Sequence, residues 1–273
     1  MRTALTIAGS DSSGGAGIQA DLKTFAAFGL YGASAITAVT AQSTKGIEGT
    51  LAVPADLVTM QIEAVAGDLT IDATKIGMLV NAAIVEAVAA AIAELDLPLV
   101  VVDPVLVSSS GERLLDEDGI RALCAELLPH ARVVTPNIPE AEALSGRPIR
   151  SMDDEREAAR RIHDMGAAAV IITGGHGWDE ATGLAAAGLK VVDLLFDGHG
   201  FREFLAPRVD SRHTHGTGCT YASAVAAGLA LGQELPEAAA RAQQYVAGAI
   251  AHAPGIGHGR GPLDHFWNWM RRP

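Results

Sequence analysis

The chain has 273 residues, 49% of them hydrophobic and 19% charged, and it carries a formal net charge of -12. This length suits one large domain or two small ones, and the apolar fraction can fill a substantial core. Arginine and lysine form no run, which argues against a nucleic-acid-binding surface, and no apolar stretch approaches the roughly 20 residues that a membrane span needs.

Short apolar runs alternate along the chain with longer Ala-rich segments of helical period. This alternation is typical of βα units that build a largely parallel sheet with helices on both faces. The predicted strands are residues 3–8, 33–40, 73–76, 99–102, 132–135 and 168–173. The predicted helices between them are residues 18–28, 55–67, 82–95, 117–128, 140–144 and 154–165.

The pattern changes toward the end of the chain. Residues 181–206 contain short runs separated by glycines, which predicts antiparallel hairpins at one edge of the sheet. Two Ala-rich helices are predicted at 220–231 and 236–252. Because no linker, repeat or low-complexity segment divides the sequence, we predict a single α/β domain over residues 1–273.

The start of the chain and its cysteines predict a cytoplasmic protein. The first residues lead directly into an apolar segment that ends at Gly9, which is too short for a secretory signal with a cleavage site. Cys124 and Cys219 allow at most one disulfide, and in a reducing compartment we expect two separate thiols. Cys124 lies beside leucines on a predicted amphipathic helix, so we expect it in the core.

Ligands of open α/β sheets bind beyond the carboxyl ends of the strands, so the loops that leave those strands are examined first. The loop at residues 9–17 reads Gly-Ser-Asp-Ser-Ser-Gly-Gly-Ala-Gly and precedes a predicted helix. It is interpreted as a ligand-cradling loop, with a dinucleotide site or an ordinary tight turn as alternatives. The dinucleotide alternative lacks the usual acid after the second strand, and no P-loop motif is present.

Two further loops place polar side chains directly after predicted strands. Asp103 follows an apolar strand and is interpreted as a magnesium ligand or as a turn cap. Asn137 and Glu140 are three residues apart at the start of a helix, which suits either a metal-bound polyphosphate or an ordinary helix cap.

The segment His213-Thr-His-Gly-Thr-Gly-Cys-Thr220 gives the strongest signal for chemistry. Gly216 and Gly218 leave backbone N–H groups accessible, and the helix that follows adds its dipole, so the turn is suited to bind an anion. Cys219 lies in the first helical turn, where we expect a lowered thiol pKa. The alternative is a small buried cysteine beneath a Gly-rich turn.

Taken in order, these segments resemble the hydroxymethylpyrimidine/phosphomethylpyrimidine kinases of thiamine biosynthesis, within the ribokinase-like superfamily. The resemblance covers nearly the whole chain. It rests on residues 5–25, 35–44, 75–79, 103–105, 135–142, 174–176, 214–220 and 261–267. It implies a single ribokinase-like α/β domain, a homodimer, and transfer of phosphate from MgATP to a small aminopyrimidine and then to its monophosphate.

The resemblance also implies a role for individual residues. The pyrimidine would contact Gly9, Asp21, Gln42, Met78 and Val105. ATP would contact Asn137, Thr173, Gly174 and Thr217, and Mg²⁺ would be held by Asp103 and Glu140. The catalytic turn would be Gly216, Thr217, Gly218 and Cys219, with Cys219 acting either as general base or as part of the anion-binding site. Residues 43–50, rich in glycine and polar side chains, are predicted to form a flap.

One departure from the family pattern concerns ATP. Family members commonly have a lysine where this chain has Thr173, and a threonine supplies no charge. Two alternatives therefore stay open. One is a vitamin B6 (pyridoxal) kinase of the same superfamily, against which Gln42 argues because pyridoxal-preferring relatives commonly have an apolar residue there. The other is a non-catalytic pyrimidine or nucleotide sensor.

Overall fold

The sheet forms because its central strands have apolar residues on both of their faces, as expected for parallel strands covered by helices. The computed structural model describes residues 1–108, 111–176 and 190–269. The strands within them are β1 Thr3–Asp11, β2 Tyr31–Ser43, β3 Gly46–Ala52, β4 Ala73–Ile76, β5 Val100–Val102, β6 Val133–Val134, β7 Val170–His176, β8 Lys190–Phe196 and β9 Phe201–Pro207.

Helices connect these strands and cover the sheet. They are α1 Gly17–Ala27, α2 Ala55–Ala66, α3 Ala82–Glu94, α4 Glu117–Ala122, α5 Ile138–Ser145, α6 Met152–His163, α7 Thr217–Ala230 and α8 Leu235–Ala251. A wider helical turn, Leu123–Leu127, and a tighter one, Leu128–His130, extend α4. In this described part of the chain, no helix is long and apolar enough to cross a membrane.

The alternation of side chains divides the core into two layers. Leu5 and Ile7 of β1 face one layer, with the buried side chains of α2, α3 and α6, whereas Ala4 faces the other layer, with those of α7 and α8. Val102 and Val101 of β5 divide in the same way. Period-two alternation within continuously apolar strands therefore explains why the sheet is covered on both faces.

The strand order within the described residues is β3-β2-β1-β4-β5-β6-β7-β8-β9. The strands from β2 to β7 pair in parallel, and β3, β8 and β9 pair antiparallel at the two edges. This confirms the predicted mostly parallel sheet with antiparallel edges. The chain leaves β1 toward β2 on one side and later returns as β4 on the other, so a crevice opens beyond the carboxyl ends of β1 and β4.

Residues 43–50, predicted from the sequence to form a flap, lie at one edge of the sheet. Most of this segment is β3, an edge strand that pairs antiparallel with β2, and only a short turn separates the two strands. Every residue of β3 is partly or fully exposed, so the strand has no alternation of buried and exposed residues. Because its sequence therefore lacks the alternation of apolar and polar residues that indicates a strand, β3 was not predicted.

The predicted edge hairpin at 181–206 is confirmed over β8 and β9, and its first residues, 181–189, lie outside the described part of the chain. Both cysteines are free thiols. Cys124 packs half-buried against the core beneath α3, as predicted.

The two-layer core predicts different costs for two leucines that both lie in strands. Leu5 in β1 is 0% exposed, whereas Leu205 in β9 is 56% exposed. Leu5→Ala should lower the free energy of unfolding by about 2–5 kcal/mol because it leaves a cavity in the core. Leu205→Ala should change it by less than about 0.5 kcal/mol. Urea denaturation measures both, and equal effects would contradict the described packing.

Candidate active site

A cavity of about 250 Å³ opens at the carboxyl ends of the parallel strands. Its wall combines the loops that follow β1, β4, β5 and β6 with the end of β2 and the N-terminus of α7. The predicted site residues that line it are Gly9, Gln42, Met78, Asp103, Val105, Asn137, Glu140, Thr173, Gly216, Thr217, Gly218 and Cys219. The four loops that the sequence singled out therefore meet in one crevice, whereas Asp21 and Gly174 lie outside its wall.

Asp21 lies beneath the cavity and is fully buried. Thr6 Oγ1 and Ser223 Oγ donate hydrogen bonds to its carboxylate at 2.6 and 2.7 Å. Lys75 Nζ lies 3.0 Å from the same carboxylate. These partners use the carboxylate oxygens, so the structure corrects the expectation that Asp21 contacts the pyrimidine. Asp21 instead anchors Lys75.

Lys75 is a site residue that the sequence analysis did not single out. Its side chain is fully buried, and Nζ lies 3.0 Å from Asp21 and 3.8 Å from Asp103 Oδ2. Burial alone would lower the pKa of Lys75, but the charge and hydrogen bond of Asp21, together with the charge of Asp103, outweigh this effect and raise it. A signal was present in the sequence, because a lysine inside a four-residue buried strand needs an acidic partner.

Asp103 and Glu140 place two carboxyl groups in the cavity wall. Burial raises the pKa of both, and the charge of Asp103 raises that of Glu140 further, whereas Lys75 opposes the shift of Asp103. Glu140 also accepts from the Asn137 backbone N–H at 3.0 Å, and Asn137 Oδ1 accepts from the Glu140 N–H at 3.0 Å. The structure shows the helix-cap interpretation of this pair, and it also places both residues in the cavity wall.

One oxygen of Asp103 distinguishes it from the acids that serve only as caps. Oδ2 is buried and makes no hydrogen bond within the described residues, and the Lys75 ammonium lies 3.8 Å from it. A buried carboxylate oxygen without a hydrogen bond is costly unless a cation or a donor comes closer, and carboxylate oxygens are the ligands that Mg²⁺ prefers. Asp103 and Glu140 therefore fit a divalent cation.

The turn before α7 presents backbone N–H groups to the cavity. Gly216, the cap of α7, has φ of +82°, and a Cβ there would lie 1.9 Å from the Gly15 carbonyl oxygen, so only glycine fits. The N–H groups of the first helical turn have no partner inside the helix, and the helix dipole adds partial positive charge. An anion is therefore favoured at this end of the cavity.

Cys219 has the predicted position but the opposite electrostatics. It lies in the first turn of α7, where a lowered thiol pKa was expected. Burial raises the pKa of Cys219 to about 12, the nearby Asp103 and Asp21 raise it as well, and Lys75 only partly opposes them. The helix terminus is outweighed because the site is buried and acidic, so Cys219 is a protonated thiol at neutral pH.

Gly174 does not offer its N–H to the cavity. The group donates to Asp193 Oδ1 at 2.9 Å, and this carboxylate also accepts from Gln243 Nε2 at 2.9 Å. Thr173, the preceding residue, does line the cavity and pairs with Asn137 through an isolated bridge.

Two other wall residues were missed by the sequence analysis. Asp11 is buried and accepts hydrogen bonds from the backbone N–H groups of Ser13, Gly15 and Ala16, so it fixes the shape of the first loop. His215 Nε2 lies 2.8 Å from Asp11 Oδ2 and joins this loop to the turn before α7. The two residues are 204 positions apart. Only the folded sheet brings them together.

A family model described as phosphomethylpyrimidine kinase matches residues 11–264 of the chain. The chain belongs to the phosphomethylpyrimidine kinase family. A relative named hydroxymethylpyrimidine/phosphomethylpyrimidine kinase from Bacillus subtilis is 46% identical over 263 residues, which are 96% of this chain and 94% of the relative. The Escherichia coli protein of the same name is 42% identical over 269 residues, which are 97% of this chain and 98% of that relative. The chain spans only 52% of a longer relative, a bifunctional thiamine biosynthesis protein of Geobacter sulfurreducens that is 49% identical over 96% of this chain.

Solved structures from the family and its neighbours share the fold. Phosphomethylpyrimidine kinase from Clostridium difficile superposes with a TM-score of 0.79 at 40% identity, covering 92% of this chain and 100% of that one. An ADP complex of Bacillus subtilis pyridoxal kinase superposes with a TM-score of 0.88 at 37% identity, covering 99% of this chain and 100% of that one. A complex of Staphylococcus aureus pyridoxal kinase with AMP-PCP and pyridoxal superposes with a TM-score of 0.85 at 36% identity, covering 97% of this chain and 94% of that one. The ribokinase-like fold predicted from the sequence is confirmed.

The buried ion pair predicts that Lys75 is required for stability. Lys75→Met would leave Asp21 buried without its cation, so the free energy of unfolding should fall by about 3–5 kcal/mol. Lys45→Met is the matched control, because Lys45 is exposed on the turn between β2 and β3, and its effect should stay within about 0.5 kcal/mol. Urea denaturation at neutral pH measures both. Similar values for the two variants would show that Lys75 is not an essential partner of Asp21.

Proposed function

We propose that the chain is a kinase that transfers the γ-phosphoryl group of ATP to the hydroxymethyl group of 4-amino-5-hydroxymethyl-2-methylpyrimidine, and in a second reaction to the resulting monophosphate. One observation carries this proposal. The chain belongs to the phosphomethylpyrimidine kinase family, and one cavity contains both a set of residues suited to bind the pyrimidine, called the recognition wall below, and the anion-binding turn of α7.

The recognition wall consists of Gln42, Met78, Val105 and Gly9. The Gln42 amide offers one donor and one acceptor, which match the ring nitrogen and amino group on one edge of an aminopyrimidine. Met78 and Val105 supply apolar surface for the ring. Gly9 makes room for this, because a Cβ at Gly9 would lie only 3.2 Å from Met78 Sδ.

ATP binding is proposed at the other side of the cavity, beside Asn137 and Thr173. Asp103 and Glu140 would hold Mg²⁺, which when bound would neutralise charge on the ATP phosphates. The Asn137 side chain is already used as the cap of α5, so its position is fixed before a ligand arrives. With Thr173 in place of the lysine that family members commonly have, this wall has no cationic side chain within the described residues.

Phosphoryl transfer is assigned to the turn at Gly216, Thr217, Gly218 and Cys219. The turn lines the cavity at the N-terminus of α7, and preorganised N–H donors at a helix N-terminus stabilise negative charge that develops on a transferring phosphoryl group. The raised pKa of Cys219 leaves its thiol protonated, which favours the anion-binding role over the general-base role. The Thr217 hydroxyl donates to the Thr214 carbonyl at 2.8 Å and holds the turn in shape.

A vitamin B6 kinase is the second candidate, because neighbours at 36–37% identity are pyridoxal kinases. Gln42 favours the pyrimidine, since pyridoxal lacks the amino group beside a ring nitrogen that the amide can pair with. Initial rates with hydroxymethylpyrimidine, its monophosphate and pyridoxal, each with ATP and Mg²⁺, decide between the two.

We expect both pyrimidines to be phosphorylated with higher kcat/KM than pyridoxal. Gln42→Met, which removes both polar groups at similar volume, should lower kcat/KM for the pyrimidines by about 10- to 100-fold. Pyridoxal turnover should be affected less. Turnover of pyridoxal alone would replace this function with the second candidate, and no turnover of any substrate would favour a sensor.

Cys219 provides a separate test of the phosphoryl-transfer turn. Cys219→Ala should lower kcat about 10- to 100-fold, because one donor to the developing charge is lost, with the Kd of hydroxymethylpyrimidine changed less than threefold. Cys124→Ala is the matched control, since Cys124 packs outside the cavity, and it should leave kcat unchanged. Steady-state kinetics and calorimetric titration give the two values. An unchanged kcat in Cys219→Ala would assign this thiol a purely structural role.

We further propose that residues 1–273 act as one kinase domain and assemble as a homodimer. The single continuous sheet of the described residues supports the first statement. The cross-strand pair Val39 and Leu51 supports the second, because these apolar side chains on the β2–β3 edge are 51% and 73% exposed.

A cytoplasmic location stays a prediction from the sequence.

A further inference from the structure

The end of β7 contains a β-bulge beside the cavity. In the antiparallel pairing of β7 with β8, the register shifts between Ile172 and Gly175, so that Thr173 and Gly174 together lie opposite the single residue Asp193. A bulge of this kind bends the strand and redirects its side chains. Of the two bulge residues, Thr173 lines the cavity. The bulge therefore sets which residue of β7 reaches the side of the cavity where ATP is proposed to bind.

Backbone hydrogen bonds hold one side of the bulge. The Thr173 N–H donates to the Pro136 carbonyl oxygen at 2.8 Å, and Thr173 pairs with Asn137 through an isolated bridge. These contacts join the first bulge residue to the loop that carries Asn137 from β6 into α5. Thr173 and Asn137 are therefore adjacent in the same part of the cavity wall.

The side chain of Asp193 holds the other side of the bulge. Gly174 has φ of +69°, in the left-handed region that favours glycine, and its N–H donates to Asp193 Oδ1 at 2.9 Å. Gln243 Nε2, from α8, donates to Asp193 Oδ2 at 2.9 Å and also to the Phe204 carbonyl oxygen at 2.9 Å. Each oxygen of the Asp193 carboxylate therefore has its own donor, and only one of the two donors belongs to the bulge.

A carboxylate at this position is costly for folding. Asp193 is 2% exposed, and its two donors, a backbone N–H and a side-chain amide, are uncharged. Burial raises the pKa of Asp193 to about 6, although the hydrogen bonds from Gly174 and Gln243 oppose this shift. A polar group is buried at acceptable cost only where hydrogen bonds compensate it. The bulge supplies such a requirement, because the Gly174 N–H needs an acceptor at the point where the regular ladder is interrupted.

We propose that Asp193 is a positioning residue for ATP: its carboxylate holds Gly174 in the bulge, and the bulge directs Thr173 into the cavity wall. This inference deepens the proposed function and rests on its placement of ATP beside Thr173. Asp193 does not line the cavity itself, so it acts on ATP only through the bulge.

The expected effect follows from the side-chain alternation of a strand. Without the Asp193 acceptor, β7 can pair with β8 in a regular register, and a shift of one residue turns side chains to the opposite face. Thr173 would then leave the cavity wall, and the loss of one hydrogen bond to ATP corresponds to about tenfold in affinity. The pyrimidine should be affected less, because Gln42 and Met78 come from β2 and from the loop after β4.

The experiment measures two dissociation constants by calorimetric titration, that of AMP-PCP with Mg²⁺ and that of hydroxymethylpyrimidine. The central variant is Asp193→Leu, which has a similar branched shape and no acceptor. Gln243→Met is the matched control, because it removes the other donor to Asp193 and leaves the hydrogen bond from Gly174 in place. Thermal unfolding identifies any variant that is not folded.

A double variant, Asp193→Asn with Gln243→Met, tests rescue of the hydrogen bond. The asparagine oxygen can still accept from the Gly174 N–H. In the Gln243→Met background the asparagine nitrogen does not oppose the Gln243 donor, so the orientation with its oxygen toward Gly174 is favoured.

We expect Asp193→Leu to weaken AMP-PCP about tenfold and to change the Kd of hydroxymethylpyrimidine less than about threefold. Gln243→Met and the double variant should lower the melting temperature, because each disturbs the same buried group. Both should nevertheless bind AMP-PCP within about threefold of the wild-type Kd, because the acceptor for Gly174 is kept.

Equal weakening of both ligands by Asp193→Leu, or unchanged binding of AMP-PCP, would overturn the inference and leave the proposed function intact. Weakening of AMP-PCP by Gln243→Met as large as that by Asp193→Leu would also overturn it, because the residue would then have a purely structural role. If Asp193→Leu is not folded, the double variant must still bind AMP-PCP as Gln243→Met does, and weaker binding there would overturn the inference. Failure of the wild-type protein to bind AMP-PCP would overturn the proposed ATP site and this inference together.

Discussion

The ion pair between Lys75 and Asp21 lies under the floor of the cavity, and the arrangement of the acids above it depends on this pair. Asp21, Asp103, Glu140 and the Cys219 thiol occupy one buried region, and burial penalises the ionised form of each acid. A single ammonium group, 3.0 Å from Asp21 and 3.8 Å from Asp103, offsets part of that penalty. The ammonium group also lowers the pKa of Cys219, but burial outweighs this effect and raises that pKa to about 12.

The same constraint explains how an acidic protein presents a site for a polyphosphate. The formal net charge is -12, and Lys75 is bonded below the cavity instead of pointing into it. Positive potential in the wall must then come from backbone N–H groups at the start of α7 and from a cation on the Asp103 oxygen that makes no hydrogen bond within the described residues. The absence of a lysine at Thr173 increases this dependence, since the family commonly has one there. In the proposed function, metal dependence therefore follows from the charge distribution of this chain.

The sequence was sufficient to predict the parallel core of the fold, because β1, β4 and β5 are short apolar runs between clear helical segments. It was not sufficient for β3, whose residues are exposed at the edge and show no alternation. Strand ends and glycine spacing identified Asp103 and Gly216 as residues of the site, and the family resemblance identified Gln42. Partners that depend on distant segments were missed or misassigned. Lys75 forms an ion pair with Asp21, which is 54 positions away in the sequence, and His215 contacts Asp11, which is 204 positions away. The Cys219 pKa was misjudged because a helix terminus is visible in a sequence whereas burial among acids is not.

In the proposed function, one cavity holds the aminopyrimidine at Gln42 and directs its hydroxymethyl group toward the turn before α7. A crystal structure of the protein with hydroxymethylpyrimidine and a non-hydrolysable ATP analogue would test this placement. We expect the ring to pair with the Gln42 amide between Met78 and Val105, with its hydroxymethyl oxygen within hydrogen-bond distance of the turn at Gly216 to Cys219. A ring bound away from Gln42, or a hydroxymethyl group directed away from that turn, would contradict it.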